Sequence, residues 1–296
     1  MSTASRAEKR GTYSRPWLPA NTAGRLIGWN LAVAVLVAIV ACEEPPARAM
    51  DVGQWIWSSV DSVRFVEASR TVPRLAPTVW IGTIRASPSG ALQAGLGLSP
   101  TVAARSRVGV IIRFDDSFSN VWPAQTDSAI ANAVGSSIRA MLDAAARTGV
   151  TITEVQLDYD CPERLLRRWS VVVAALARDA LAGRTVWLTS LVVHIRHGDY
   201  GELFRDHVAG HILQVFDTGD RMSPSFARQL QRLASQQRMP FRLGVAAFER
   251  RFPNGRSTNH RAWFAATPVM ARSRWYRGVW VFPAGASWAP LLEPGQ

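Results

Sequence analysis

Cysteine and lysine are almost missing from this chain of 296 residues: the cysteines are Cys42 and Cys161, and Lys9 is the one lysine among 34 basic residues. Cys161 lies deep in an apolar strand region far from the segment carrying Cys42, which argues against a disulfide between them. Long apolar runs are just as scarce. Only the stretch from Leu26 to Ala41 is long and apolar enough to cross a bilayer, which excludes a polytopic membrane protein. Solenoid repeats, low-complexity segments, a P-loop, a GxGxxG turn and a Ser-His-Asp order are absent, and no nucleic-acid module is present. The formal charge of +12 is carried by arginine in place of lysine, the mark of a GC-rich coding sequence, so charge alone does not show nucleic-acid binding. With 48% hydrophobic and 19% charged residues, the chain is too apolar for a disordered basic tail and can bury a full core.

What is there begins with a targeting pattern. Arg6, Lys9, Arg10, Arg15 and Arg25 precede the uncharged run Ala32 to Ala41, the order of an export signal. Ile39-Val40-Ala41-Cys42 resembles a bacterial lipobox, in which Cys42 is lipidated and becomes the new N-terminus. Ala47-Arg48-Ala49 has the small-x-small form that leader peptidase cleaves, and an uncleaved anchor is the third option. The expected location is the bacterial cell envelope, periplasmic or lipid-anchored, alternatively secreted. Residues 1–49 are therefore set apart as signal or anchor, and 50–296 as the folded domain. The first segment holds six basic and three acidic residues, so +9 of the charge stays with the domain.

The domain is the size of a single (β/α)8 barrel. Apolar runs bounded by turn residues place strands at Gln54–Ser59, Thr78–Ile84, Val108–Phe114, Glu154–Asp160, Thr185–His194, His211–Phe216, Arg242–Phe248 and Gly278–Phe282. Helical spacing fills several of the gaps. Asp127–Thr148 ends at Gly149, and a second helix starts near Pro162 and ends at Gly183. Asp199–Val208 and Ser223–Gln237 are two more, the latter with Ser223 as cap and Pro224 at the first helical position. Strand and helix in alternation predict parallel strands. Ser87–Arg107, rich in Gly, Ser and Pro, is expected to hold a short helix or a loop.

In such a barrel the site forms at the carboxyl ends of the strands. The fourth strand end, Gln156-Leu157-Asp158-Tyr159-Asp160-Cys161-Pro162, is the richest. Alternation sends Val155, Leu157 and Tyr159 under the helices and Gln156, Asp158 and Asp160 into the barrel mouth. Two acids on one face of a strand, in a dry mouth, resist ionising together, which prepares a general acid. The structural alternative is a pair of strand-end aspartates bound to arginines or capping the next helix.

That motif, with Thr189-Ser190-Leu191 and Leu213-Gln214-Val215-Phe216-Asp217, resembles the strand ends of an uncharacterised bacterial family, domain of unknown function 3142, itself similar to TIM-barrel glycosidases. A more distant similarity is to chitinase-type glycoside hydrolases. Asp158 and Asp160 match the two acids of their strand-four series, while Gln214, Phe216 and Asp217 lie where their strand-six turn would be. The resemblance implies a glycoside-hydrolase-like protein acting on or binding a carbohydrate polymer. It breaks at Pro162, which stands where those enzymes carry their catalytic Glu. The substrate-assisted mechanism is therefore not carried over.

Other acids are candidates to complete a pair with Asp160. Asp115 follows Arg113-Phe114 at the third strand end, Asp217 ends the sixth and Glu249 the seventh. Hydrolysis by two carboxyl groups needs a separation of about 5–5.5 Å for retention or 6.5–9.5 Å for inversion. Arg113, Gln156 and Gln214 are expected to orient the sugar. Among many tryptophans, several at or near strand ends, Trp280 with Phe282 on the eighth strand is the expected stacking platform, because that position floors the sugar site in the resembling glycosidases. Plain packing is the competing role for each tryptophan. His194-Ile195-Arg196-His197 with Asp115-Asp116 offers a third option, a metal-dependent polysaccharide deacetylase. A catalytically silent glycan-binding or scaffold lipoprotein is the other. The expected partners are carbohydrate and, through the N-terminal lipid or anchor, the membrane; no nucleic acid, cofactor or bound metal is expected.

Overall fold

The computed structural model describes residues 50–196, 198–216, 223–249 and 260–292. The expectations for the signal segment, Cys42, His197 and Asp217 fall outside these residues. Nine strands form one sheet: β1 (Asp51–Ile56), β2 (Ala76–Ala86), β3 (Leu92–Leu96), β4 (Arg107–Phe114), β5 (Thr151–Tyr159), β6 (Val186–Leu191), β7 (Gly210–Gln214), β8 (Phe241–Ala246) and β9 (Tyr276–Phe282). Eight of them are parallel and close on themselves, since β1 pairs with both β2 and β9. Helices between the strands complete a (β/α)8 barrel. The exception is β3, which runs antiparallel to the upper half of β2. A hairpin and the 3-10 turn Pro100–Ala103 thus occupy the stretch where a short helix or loop was expected.

Local sequence accounts for the element ends. Ser223 caps Pro224–Gln236 by accepting from the Phe226 amide at 3.1 Å. Thr126 caps Asp127–Ala146 in the same way. Gly149 and Gly183 adopt φ of 85° and 73°, the left-handed turn after a helix that favours glycine. Two expectations shift. Pro162 precedes a 3-10 turn, Glu163–Leu165, and the helix proper is Leu166–Arg178. The strand expected over Thr185–His194, β6, stops at Leu191, and His194 belongs to the helical turn Val192–Arg196.

The sheet separates two apolar clusters. The larger lies between strands and helices and holds Val155, Leu157 and Tyr159, the face of β5 expected to pack there. The smaller fills the barrel: Trp55, Ile111, Trp187, Ile212 and Trp280. Large and small residues alternate around this interior. Trp280 stands in register with Gly53 of β1 and Gly244 of β8, and Trp187 with Gly210 of β7. A side chain at Gly53 would collide with the Trp280 indole, and one at Gly210 with Trp187. In the lowest layer the Arg242 guanidinium lies between Trp187 and Trp280, 3.8 and 3.7 Å from their ring centroids. It donates to both Glu154 oxygens at 2.8 and 2.9 Å. The barrel is therefore plugged below, and its interior opens towards the carboxyl ends of the strands.

Candidate functional site

A cavity of about 310 Å³ opens at that end, lined by Trp55, Trp57, Ile111, Arg113, Asp158, Asp160, Gln214, Phe216 and Phe282. Its size falls at the lower bound for small-molecule sites. One side is aromatic. Trp57 meets Phe282 edge-on with centroids 6.1 Å apart, Phe282 meets Phe216 at 5.7 Å, and Phe216 meets Trp55 at 6.3 Å. Trp80 stacks behind Trp57 at 6.0 Å, and its indole N–H is tied to the Gly82 carbonyl, so the wall is braced. The other side is polar and comes from β4 and β5. Their register sets Arg113 beside Asp158, and Asp160 follows two residues later on the same face.

Asp158 accepts from Gln214 Nε2 at 3.1 Å. Burial pushes its carboxyl above the ordinary carboxylate range, against the opposing pull of the Thr189 hydrogen bond, the Arg113 charge and the Gln214 hydrogen bond. Asp160 stands at the exposed rim. The cavity thus offers a carboxyl inclined to keep its proton, a second carboxyl at the entrance, a guanidinium and an amide, all facing aromatic rings.

Of the residues expected from sequence, Asp158, Asp160, Arg113, Gln214, Phe216 and Phe282 line the cavity together. Gln156 does not. It is fully buried one layer down, where it accepts from Trp55 Nε1 at 2.6 Å and donates to Glu154 and Thr78. It therefore holds the Trp55 indole in place and reaches no sugar. Trp280 is 1% exposed, donates to Thr78 and covers Arg242, so Phe282 alone of that pair reaches the cavity. Asp115 lies past the end of β4 and caps the 3-10 helix Asp116–Asn120 by accepting from the Ser117 amide at 3.0 Å. It sits 3.8 Å from Arg85. Glu249 is exposed and 3.6 Å from His260. Glu163 is exposed in the turn after Pro162 and is not part of the lining.

The imidazole that the deacetylase alternative would use is already engaged. His194 Nε2 bonds the Cys161 carbonyl at 2.7 Å, and its Nδ1 accepts from the Leu191 amide at 3.1 Å. Of the residues the deacetylase alternative would use, Asp115 instead caps a 3-10 helix. Among the described residues no cluster of three or more His, Cys, Asp or Glu is placed to hold a metal. Trp55 and Trp57, which the sequence offers only among many tryptophans, and Ile111, which it does not single out, also line the cavity. The alternation in Gln54-Trp55-Ile56-Trp57 puts both indoles on one face at a strand end, a readable signal; Ile111 carries none.

The barrel is similar to several solved structures. It matches the spore cortex-lytic enzyme SleL of Bacillus cereus with a TM-score of 0.56 and 11% identity, covering 82% of this chain and 73% of that one. A family 18 chitinase from Crocus vernus matches at 0.55 and 12%, covering 82% and 95%. A xylanase and alpha-amylase inhibitor protein from Scadoxus multiflorus matches at 0.53 and 13%, covering 82% and 98%. At such identities the likeness is one of fold, a TIM barrel. No protein-family model matches the chain, and no curated protein does.

Proposed function

We propose that the barrel mouth is a glycan site of glycoside-hydrolase type. The observation that carries this reading is the arc of Trp57, Phe282 and Phe216 facing Asp158, Asp160, Arg113 and Gln214 across one cavity. The C–H faces of a sugar ring are apolar and stack on flat aromatic rings, while its hydroxyls need carboxylate, amide and guanidinium partners at the edge. Asp160 is the general acid/base, Asp158 beneath it tunes its proton affinity, and Arg113 and Gln214 orient the sugar. Resemblance to domain of unknown function 3142 and to chitinase-type hydrolases supports the same reading. Fold alone is neutral on catalysis, since the similar structures include a lytic enzyme, a chitinase and an inhibitor protein.

One observation favours the second reading, a glycan-binding protein without hydrolysis. Asp115 and Glu249 are occupied elsewhere, so among the described residues Asp158 is the only other carboxylate lining the cavity with Asp160. Both come from one strand face rather than from opposite sides of a bound sugar. A polysaccharide panel with product analysis, run on wild type and Asp160→Asn, separates the readings. Products from wild type that the variant fails to release support hydrolysis; binding without products from either supports the second reading. If no glycan is bound or cleaved, both fail.

Export and envelope attachment belong to the same proposal, resting on the basic and apolar order of residues 1–49 and on Cys42. Mass spectrometry of the mature N-terminus tests it. A lipid-modified Cys42 or a start at Met50 supports export, and an intact Met1 leaves only the uncleaved anchor.

A further inference from the structure

The two ends of the barrel carry different charge. At the carboxyl end acids and bases alternate, with Asp115, Asp116, Asp160 and Glu249 among Arg85, Arg164 and Arg167. At the amino end, every segment leading into β2 and β4 to β9 holds an exposed arginine: Arg74, Arg105, Arg147, Arg184, Arg205, Arg238 and Arg274 in strand order. Among the described residues, none of the seven is within ion-pair distance of a carboxylate. Arg70, Arg107 and Arg272 add to the same segments. Against these ten stand the five carboxylates Asp51, Glu67, Asp143, Asp179 and Asp206, of which Asp51 lies 3.6 Å from Arg242, Glu67 2.8 Å from Arg64 and Asp179 3.5 Å from Arg178. Arg74 and Arg238 even take left-handed φ of 61° and 52°, where glycine is the ordinary choice.

A ring of such cations spread over seven strand entries of a barrel fits an extended anionic surface better than a compact ligand. The position of the ring selects among such surfaces. β1 begins at Asp51, so residues 1–49 join the barrel at this end, beside Met50, which is 53% exposed. Seven residues separate Cys42 from Met50, a reach of about 25–30 Å when fully extended. We propose that the amino end of the barrel is a docking face for anionic phospholipid headgroups. The chain that would lead to a bilayer connects through β1, at the same end as these arginines, and the proposed glycan cavity opens at the opposite end. Each arginine near such a surface adds a screened attraction that salt weakens. This face does not depend on what the cavity binds.

The test uses the full-length protein and vesicles of phosphatidylcholine with or without phosphatidylglycerol. Neutral vesicles report insertion through residues 1–49, and the gain with phosphatidylglycerol reports the arginine face. Replacing Arg74, Arg105, Arg147 and Arg184 by Gln is expected to reduce that gain about tenfold or more, while the unfolding transition stays in place. A variant of equal charge loss at the other end, Arg85, Arg164, Arg167 and Arg261 to Gln, is expected to keep it. Raising salt should abolish the gain in wild type. The proposal is overturned if the first variant keeps the wild-type gain, or if both variants lose it equally. Tighter retention of wild type by soluble heparin than by phosphatidylglycerol vesicles also overturns it, since the face would then read an anionic polymer.

Discussion

The lower and upper layers of the barrel interior are built on the same strands with similar residues, yet they differ in what their charges can do. In the lower layer Glu154 meets Arg242, two tryptophans cover the guanidinium, and the pair is almost fully enclosed, with side-chain exposures of 11% and 6%. Four residues further along the same face of β5, Asp158 is half-buried at the cavity, and its neighbours are an amide, a hydroxyl and the more distant charge of Arg113. Glu154 is balanced and structural. Asp158 is left inclined to hold a proton beside open space. What distinguishes the cavity carboxyl from the packing one is the arginine that closes over the latter.

The largest test of this contrast is Arg242→Met. It fills the slot between the indoles but leaves Glu154 buried and uncompensated, so a loss of about 3–5 kcal/mol in urea unfolding is expected. Adding Glu154→Gln should recover much of it; a loss below about 1 kcal/mol from Arg242→Met alone would mean that the pair is not the plug it is taken to be.

In the upper layer, Asp160→Asn should lower turnover of a cleaved glycan about a hundredfold or more while changing its affinity only slightly. Affinity and turnover falling together would demote Asp160 to a binding group. A smaller effect is expected from Phe282→Ala, about 1 kcal/mol or fivefold in glycan affinity, read by calorimetry. An unchanged Kd would remove this ring from the stacking wall.

The smallest effect is a pH dependence. Because the folded state holds the Asp158 proton more tightly than the unfolded chain does, stability falls as pH rises through the range above the ordinary carboxylate value. Asp158→Asn, which can still accept from Gln214, should lack that decline. Parallel stability curves for the two proteins from acid to neutral pH would show that burial does not perturb this carboxyl.

Much of the barrel is legible in the sequence because its signals are local. Gly149, Gly183 and Ser223-Pro224 mark helix ends by backbone geometry, and apolar runs between turn residues mark all eight parallel strands. The hairpin partner β3 is not legible, since Leu92–Leu96 has two glycines nearby and mostly exposed side chains, held by pairing with β2. For the site, alternation along β5 assigns faces correctly but not depth. Gln156 and Trp280 share the inner face with Asp158 and Phe282, yet lie one layer too low to meet a ligand. Depth depends on the register between strands and on which glycine stands opposite each tryptophan, neither of which is a local property. Asp115 illustrates the other limit: one residue past the strand end, capping outweighs alternation.

The most direct test of a glycan cavity in the barrel mouth is calorimetric titration of an oligosaccharide panel into wild type and Trp57→Ala. Saturable binding of at least one glycan by wild type is predicted, weakened about tenfold in the variant at an unchanged unfolding midpoint. Absence of binding across the panel, or equal affinity in the two proteins, would contradict it.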